Sequence, residues 1–426
     1  MVDGYTFEGN TTTGTAANTV NGAIHVVAGS ATVQNVAFQG EAAQYLYVNT
    51  SLTTQNLENV QIVQATSGAA ITLSGNAGSN VSVKSNKYTN DHVVLTNTAA
   101  ELISTITLVQ PADGSAWYIN ENGALAISAV ASITAGGITN YYTTLEEAVA
   151  AANAAEEATT IVVMQNTSIA ETITIEKDVT LMNASGKEIT ISRGADLAGD
   201  LFQVGEGAAL TLGSEDAGKL IIDGTSAAAI AGRTVTVASG ATFTLNENAT
   251  LCNANSTLSG GALHTTGVTY LYGTISYNKS RATGAGLFVA NGADVTCVGA
   301  TFQGNDSTEK TQNGGAVYVG GKYTDNGSSY IGNKGKNGAA IFTGLTTANA
   351  VIENATFEGN LATANGAAIY ANGGTITVRN STCTDNTKTD GTTVATLKKG
   401  NGTLYIGVNV VVDGTVQTVT EPSTEE

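Results

Sequence analysis

Apolar residues in this chain of 426 residues fall in short β-branched runs broken by Gly, Asn and Asp, which predicts many brief strands joined by turns. Such runs are Ile161-Val-Val-Met164, Ile173-Thr-Ile175, Val179-Thr-Leu-Met182, Ile189-Thr-Ile191, Ala316-Val-Tyr-Val319 and Thr375-Ile-Thr-Val378. Between Ile275 and Asn386 the pattern acquires a period. An apolar residue stands three positions before an asparagine in Ile275-Ser-Tyr-Asn278, Phe302-Gln-Gly-Asn305, Tyr330-Ile-Gly-Asn333, Phe357-Glu-Gly-Asn360 and Cys383-Thr-Asp-Asn386, and these asparagines lie 27, 28, 27 and 26 residues apart. In phase with it runs a small-residue cluster ending in an aliphatic: Gly260-Gly-Ala-Leu263, Gly284-Ala-Gly-Leu287, Gly314-Gly-Ala-Val317, Gly338-Ala-Ala-Ile341 and Gly366-Ala-Ala-Ile369. A unit of this size cannot bury its apolar side alone. Stacked in parallel at about 4.8 Å per turn, such units share one core and pair their backbone groups. The predicted fold is all-β, a parallel β-helix or solenoid.

Both landmarks then acquire physical tasks. An asparagine at one corner of every coil can hydrogen-bond along the stack, and it tolerates the left-handed conformation that a sharp corner needs. Asn278, Asn305, Asn333, Asn360 and Asn386 are thus read as a structural ladder, with Ile275, Phe302, Tyr330, Phe357 and Cys383 as an inward column beside it. Gly261, Gly284, Gly315, Gly338 and Gly366 suit places where the backbone turns tightly or meets another segment.

Upstream the repeat loosens. Ile24, Leu46, Ile71 and Val94 recur at 22, 25 and 23 residues, Phe38-Gln-Gly-Glu41 is a degenerate landmark, and Phe7-Glu-Gly-Asn10 followed by Gly22-Ala-Ile24 is a full copy. The chain therefore reads as starting inside a repeat, as a segment of a longer protein whose export signal and anchor lie elsewhere. The pattern breaks at Tyr141–Asn153, where Thr144 and Glu147 form a capping box and Leu145, Ala148, Val149 and Ala152 make one apolar stripe. A short amphipathic helix near 144–153 is predicted to cap the open end of a β-helix. Two β-helical segments in tandem follow: 1–137, a partial β-helix and linker; 138–416, a second β-helix of nine or ten coils with its capping helix; and 417–426, a polar linker or tail.

Gly 50 against Pro 2, with 6 % aromatic and 12 % charged residues, leaves too few long helix formers for an α-rich fold. A net charge of −18 argues against nucleic acid and anionic membrane as partners. No apolar run reaches the roughly 18 residues of a membrane span, so no membrane insertion is expected. Cys252, Cys297 and Cys383 form no Cys-x-x-Cys pair and read as core residues. Catalysis on such a scaffold needs clustered carboxylates or acids that bind a cation. Asp200, Glu215, Asp216, Asp223, Asp294, Asp306 and Asp325 instead read as scattered, solvated turn residues, Arg233 and Arg281 lack an evident acidic partner, and His25, His92 and His264 stand alone. No catalytic, cofactor or metal site is assigned. Thr-x-Thr pairs from Thr172, Thr234, Thr242 and Thr375 do not recur at one coil position. The segments Thr308–Asn313 and Tyr323–Ser329 read as long loops, where binding would sit. Tyr142, Trp117 and Tyr323 could stack on a sugar, against a core or edge role.

The paired Phe-x-x-Asn and Gly-Gly-Ala-[Ile/Leu/Val] landmarks over residues 260–386 resemble the repeats of the chlamydial polymorphic outer-membrane protein family and of adhesin-like surface proteins of bacteria and archaea. The helix and strand ladder from Tyr141 to about Gly224 are similar to the start of pectate-lyase-like domains. The resemblance implies a right-handed β-helix in an extracellular or cell-surface protein, non-catalytic, an adhesin or its stalk. It implies a glycan or a host or neighbour cell-surface protein as partner, and no cofactor. A polysaccharide lyase or hydrolase on the same scaffold, and a mechanical spacer that associates end to end, are the competing readings.

Overall fold

A computed structural model describes residues 1–8, 23–39, 45–89, 91–111, 117–127, 129–183, 186, 188–310, 312–388 and 396–420. Strands make up 51 % of the chain and helices 4 %, and parallel stacked coils form a β-solenoid of about 14 turns. The chain divides into two compact units, Met1–Thr143 and Thr144–Glu426.

In the second unit each regular coil adds a strand to each of three parallel sheets. The first sheet runs from Thr159–Val163 through Asp178–Met182 to Thr403–Ile406, the second from Thr167–Ile169 to Val411–Val412, and the third holds nine strands from Ile173–Ile175 to Leu397–Lys399. Strand alternation sends every second side chain inward, and parallel register sets each on its counterpart one coil below. Val235, Leu263, Leu287, Val317, Ile341 and Ile369 form one such column, all buried. Burying one such side chain stabilises by about 1.5–3 kcal/mol, whereas ordering backbone costs roughly 1–2 kcal/mol per residue. The inward side chains of a lone coil do not offset that cost, so neighbours on both faces are required.

The ladder corner lies between the second and third sheets. The ladder asparagine was expected to take the left-handed conformation there, and the structure corrects this: the residue before it does, as Tyr277 (φ 56°), Gly304 (63°), Gly332 (61°), Gly359 (60°) and Asp385 (56°). This explains the glycine in Phe-Gln-Gly-Asn, Tyr-Ile-Gly-Asn and Phe-Glu-Gly-Asn. The small-residue cluster also has two distinct slots. Gly284, Gly338 and Gly366 occupy its first slot at positive φ, where a Cβ would lie 2.2–2.4 Å from the carbonyl oxygen three residues on. Gly261 and Gly315 occupy its second slot, where a Cβ would meet Ala285 O at 2.7 Å and Lys334 O at 2.3 Å, both from the next coil.

Coils of the first unit are shorter. Val36 pairs with Leu57 and Leu57 with Gly78, two steps of 21 residues. The strands Ser30–Gln39 and Ser51–Gln64 bend round their corners through the left-handed Asn35, Asn56 and Asn59 with no separate turn. The expected column Ile24, Leu46, Ile71 and Val94 is therefore corrected. Ile24 pairs with Leu46, which is followed by Ile62 and Val83, while Ile71 stacks between Leu52 and Leu95. Counting at the longer period had stepped from one column to another. Phe7 and Phe38 are register partners; Asn10, Gly22 and Glu41 lie outside the described residues. Trp117 is buried, edge-on to Tyr88 at 6.1 Å, so it is a core residue rather than a sugar platform.

The helix Leu145–Asn153 carries the capping box, with Glu147 N–H donating to Thr144 Oγ1 at 3.1 Å and Thr144 N–H to Glu147 Oε2 at 3.3 Å. Its buried stripe of Leu145, Ala148, Val149 and Ala152 packs on the strands of the first coil. Asn153 extends that docking, donating to Thr174 O at 2.8 Å and accepting from Glu176 N–H at 2.9 Å. At the other end Val411–Val412 and Thr415–Val416 pair antiparallel, Gln417 N–H donates to Val410 O and Thr420 N–H to Ile406 O. Gln417 and Thr420 thus bond back onto the last coil, and 421–426 lie outside the described residues.

A substitution pair separates backbone strain from crowding at the corner. Open space surrounds a Cβ at Gly359, so Gly359→Ala should cost only the left-handed backbone term, about 1 kcal/mol. Gly304→Ala should cost more, because its Cβ would lie 2.7 Å from the Tyr277 ring. Urea denaturation midpoints measure both, and equal losses would discount the ring contact.

Candidate functional site

The five ladder asparagines are buried at 0–4 % exposure, and each is bonded to the next. Asn305 Nδ2 donates to Asn333 Oδ1 at 3.0 Å and to Ile275 O at 2.9 Å, while its backbone N–H reaches the same Asn333 oxygen at 3.0 Å. Asn278, Asn333 and Asn360 repeat this pattern, and Asn386 ends the run by donating to Phe357 O and Thr384 O. From Asn305 to Asn386 each amide oxygen accepts two bonds from the coil before it, Asn278 Oδ1 accepts one from Ala254 N–H at 2.9 Å, and each amide nitrogen gives its two hydrogens. Beside the ladder the inward column stacks ring on ring, Phe302 to Tyr330 at 5.1 Å and Tyr330 to Phe357 at 4.7 Å, with Ile275 and Cys383 in the same register.

Behind that column runs a buried polar chain that the sequence reading missed. Tyr323 and Asp325 belong to the first-sheet strand Lys322–Asn326 and point inward, so the loop expected from Tyr323 to Ser329 is largely a strand, and Tyr323 is core rather than a sugar platform. The Tyr323 and Tyr330 hydroxyls lie 2.5 Å apart, Tyr330 donates to Asp325 Oδ2 at 3.0 Å, and Cys297 Sγ–H donates to Tyr323 at 3.3 Å. Burial raises the Asp325 carboxyl to about 6 from 3.8. The nearby Ser328 hydroxyl and N–H lower it somewhat, yet Oδ1 is left without a well-formed hydrogen bond. Asp325 is therefore not a solvated turn residue. Cys252, Cys297 and Cys383 are all buried free thiols, and burial pushes Cys252 and Cys383 up to about 12.

The outer face of the third sheet gathers the most chemistry. In register it carries Gln203, Thr236 and His264, then the aromatic run Phe288, Tyr318, Phe342 and Tyr370. Ring centroids from His264 to Tyr370 are 5.0, 4.9, 5.5 and 5.8 Å apart, each pair stacked. The rings cover one another's faces, leaving edges outward, which suits packing rather than a sugar platform. At the polar end Asp200 is buried, and it accepts from Arg233 N–H and Thr236 Oγ1 at 2.8 and 2.7 Å, with the Arg233 guanidinium at 3.9 Å. Arg193, also buried, donates to the carbonyls of Gly224, Leu197, Gly199 and Arg233. Burial, then Arg233, hold His264 neutral, down to about 4, and its buried Nδ1 has no partner.

Several sequence expectations are corrected here. Arg233 has its acid in Asp200, and Arg281 bonds Glu309 at 2.7 Å across one coil. The loop Thr308–Asn313 opens with a 3₁₀ turn at Thr308–Lys310, whose first residue donates its N–H to Asp306 Oδ1 at 2.8 Å. Carboxylates do share a coil position at one corner, a shallow, exposed recess lined by Glu156, Glu157, Glu176, Asp178 and Glu206 with Lys177. On the first sheet Thr160, Thr180, Thr211 and Thr244 form an outward column before Tyr270 interrupts it, although the Thr-x-Thr pairs themselves divide between two sheets. Among the described residues no group of three or more His, Cys, Asp and Glu is placed to hold a metal ion. The arrangement ties coils together: Asp200 already accepts several donors, and a histidine this hard to protonate is a weak base near neutral pH. The chain matches no family model, no curated protein and no solved structure.

Asn333→Ala should remove four buried side-chain hydrogen bonds, leaving Asn305 N–H without a partner, and cost about 3 kcal/mol. Asn337→Ala, in a half-exposed ladder with Asn313, should cost about 1 kcal/mol; denaturant midpoints compare the two. Because the folded Asp325 pKa lies above its unfolded value, its contribution is full below about 4 and is lost as pH rises to about 6. Asp325→Asn should be more stable than the parent at pH 8 by roughly 2 kcal/mol and lose that advantage toward pH 4. Parallel stability curves for the two proteins would exclude a titrating core carboxyl.

Proposed function

We propose that the chain is a non-catalytic extracellular scaffold, an adhesin or the stalk of one, that holds loops toward a glycan or a surface protein of a host or neighbouring cell. The observation that carries this reading is where the polar side chains are engaged. The ladder asparagines, Asp200 with Arg233, Arg281 with Glu309, and Lys322 with Asp294 at 2.8 Å all bridge one coil to another. Groups bound this way stiffen a support and are poorly free to move protons for a substrate. The resemblance to adhesin-like surface repeats rests on the same two landmarks, and the cell-surface location rests on that resemblance together with the charge of −18. End-to-end association belongs to the same proposal at its spacer limit. Growth beyond Val411–Val412 would have to displace Thr415–Val416.

A glycan and polysaccharide array, read for retained protein and for shortened or unsaturated products, tests the proposal. Retention without product is the expected outcome. Product formation would replace it with a lyase or hydrolase, and silence on both counts would leave the spacer.

A further inference from the structure

Asn-Gly pairs are chemically fragile. The glycine nitrogen attacks the asparagine Cγ, a ring C–N bond forms, the Cγ–Nδ2 bond breaks and ammonia departs with the proton from the glycine nitrogen. Water then opens the succinimide to aspartate or isoaspartate. The attack needs a glycine N–H free of other bonds and a chain free to fold onto Cγ, which glycine's small size ordinarily permits.

The solenoid takes up the glycine N–H from one coil to another at five of the nine Asn-Gly pairs of the sequence. Gly314 N–H donates to Asn337 O, Gly327 to Glu353 O, Gly338 to Asn365 O, Gly373 to Thr343 O and Gly402 to Ala371 O, at 2.9–3.2 Å, each from one coil to another. The side chains are tied as well: Asn337 donates to Asn313 at 2.9 Å and Asn354 to Asn326 at 2.7 Å. Asn291-Gly292 differs. It forms the exposed tip of the turn closed by Ala293 N–H to Ala290 O, between the third and first sheets. Gly292 sits at φ 85° with nothing within 4 Å of a Cβ position, and among the described residues its N–H has no acceptor. The Thr347 hydroxyl, from two coils further on, donates to Asn291 Oδ1 at 2.9 Å and draws electrons from the carbon to be attacked.

We infer that Asn291 is a spontaneous modification site, converting to aspartate and isoaspartate in the folded protein while the coil-bonded Asn-Gly pairs stay intact. The product adds a negative charge and, as isoaspartate, an extra backbone carbon in a turn that anchors Thr347.

Incubation of the folded chain in mildly alkaline buffer, followed by peptide mapping and an isoaspartate-specific methyl-transfer assay, tests this. Conversion at Asn291 with Asn313, Asn326, Asn337, Asn372 and Asn401 unchanged is expected, and the same incubation in denaturant should convert these six together with the remaining Asn-Gly pairs at Asn21, Asn122 and Asn365. An intact Asn291 in the folded protein, or conversion of the others alongside it, overturns the inference.

Discussion

A primary amide has two hydrogens to give and an oxygen that can accept twice, and at the corners held by Asn305, Asn333 and Asn360 all four capacities are taken up by the neighbouring coils. Burial makes this consequential, because an amide left partnerless away from water costs about 1–3 kcal/mol per lost bond. The other features of the corner serve that geometry. The left-handed residue ahead of each ladder asparagine leaves the asparagine itself in ordinary backbone. The aromatic column packs the space beside the amides, and its carbonyls receive their second hydrogen.

Charge is handled by the same economy of position. Among the described residues, four of the five ion pairs join residues in neighbouring coils at 2.7–2.8 Å, and the buried Arg193 is satisfied by carbonyl oxygens of surrounding turns. Asp325 is the exception, an acid inside the core whose second oxygen has no good donor. Its neighbours Tyr323, Tyr330 and Cys297 are fully buried too, so the core of these coils is partly polar.

What could be read in the sequence was whatever repeats at constant spacing. The ladder asparagines, the column beside them and the capping box each have a partner at a fixed offset, so pattern alone finds them. The coils of the first unit are illegible in the sequence because its corners are single left-handed asparagines inside long strands, which leave no turn cluster to mark a coil. Tyr323 and Asp325 carry no strand signal because inward tyrosine and aspartate break the apolar alternation that identifies a strand. The outer aromatic stack did leave a signal: His264, Phe288, Tyr318, Phe342 and Tyr370 each directly follow the aliphatic that closes the small-residue cluster. The Asp200–Arg233 pair had none, since 33 residues separate its members and no second pair repeats it.

The direction of the ladder carries a mechanical consequence. The hydrogen bonds of the ladder amides and of the parallel sheets of the second unit run from coil to coil, so tension along the stacking direction loads successive interfaces in series, and the weakest yields first. Tension across it must shear whole rows together. Such a body is anisotropic, peeling readily from an end and resisting force from the side, and how it is tethered decides which strength it presents.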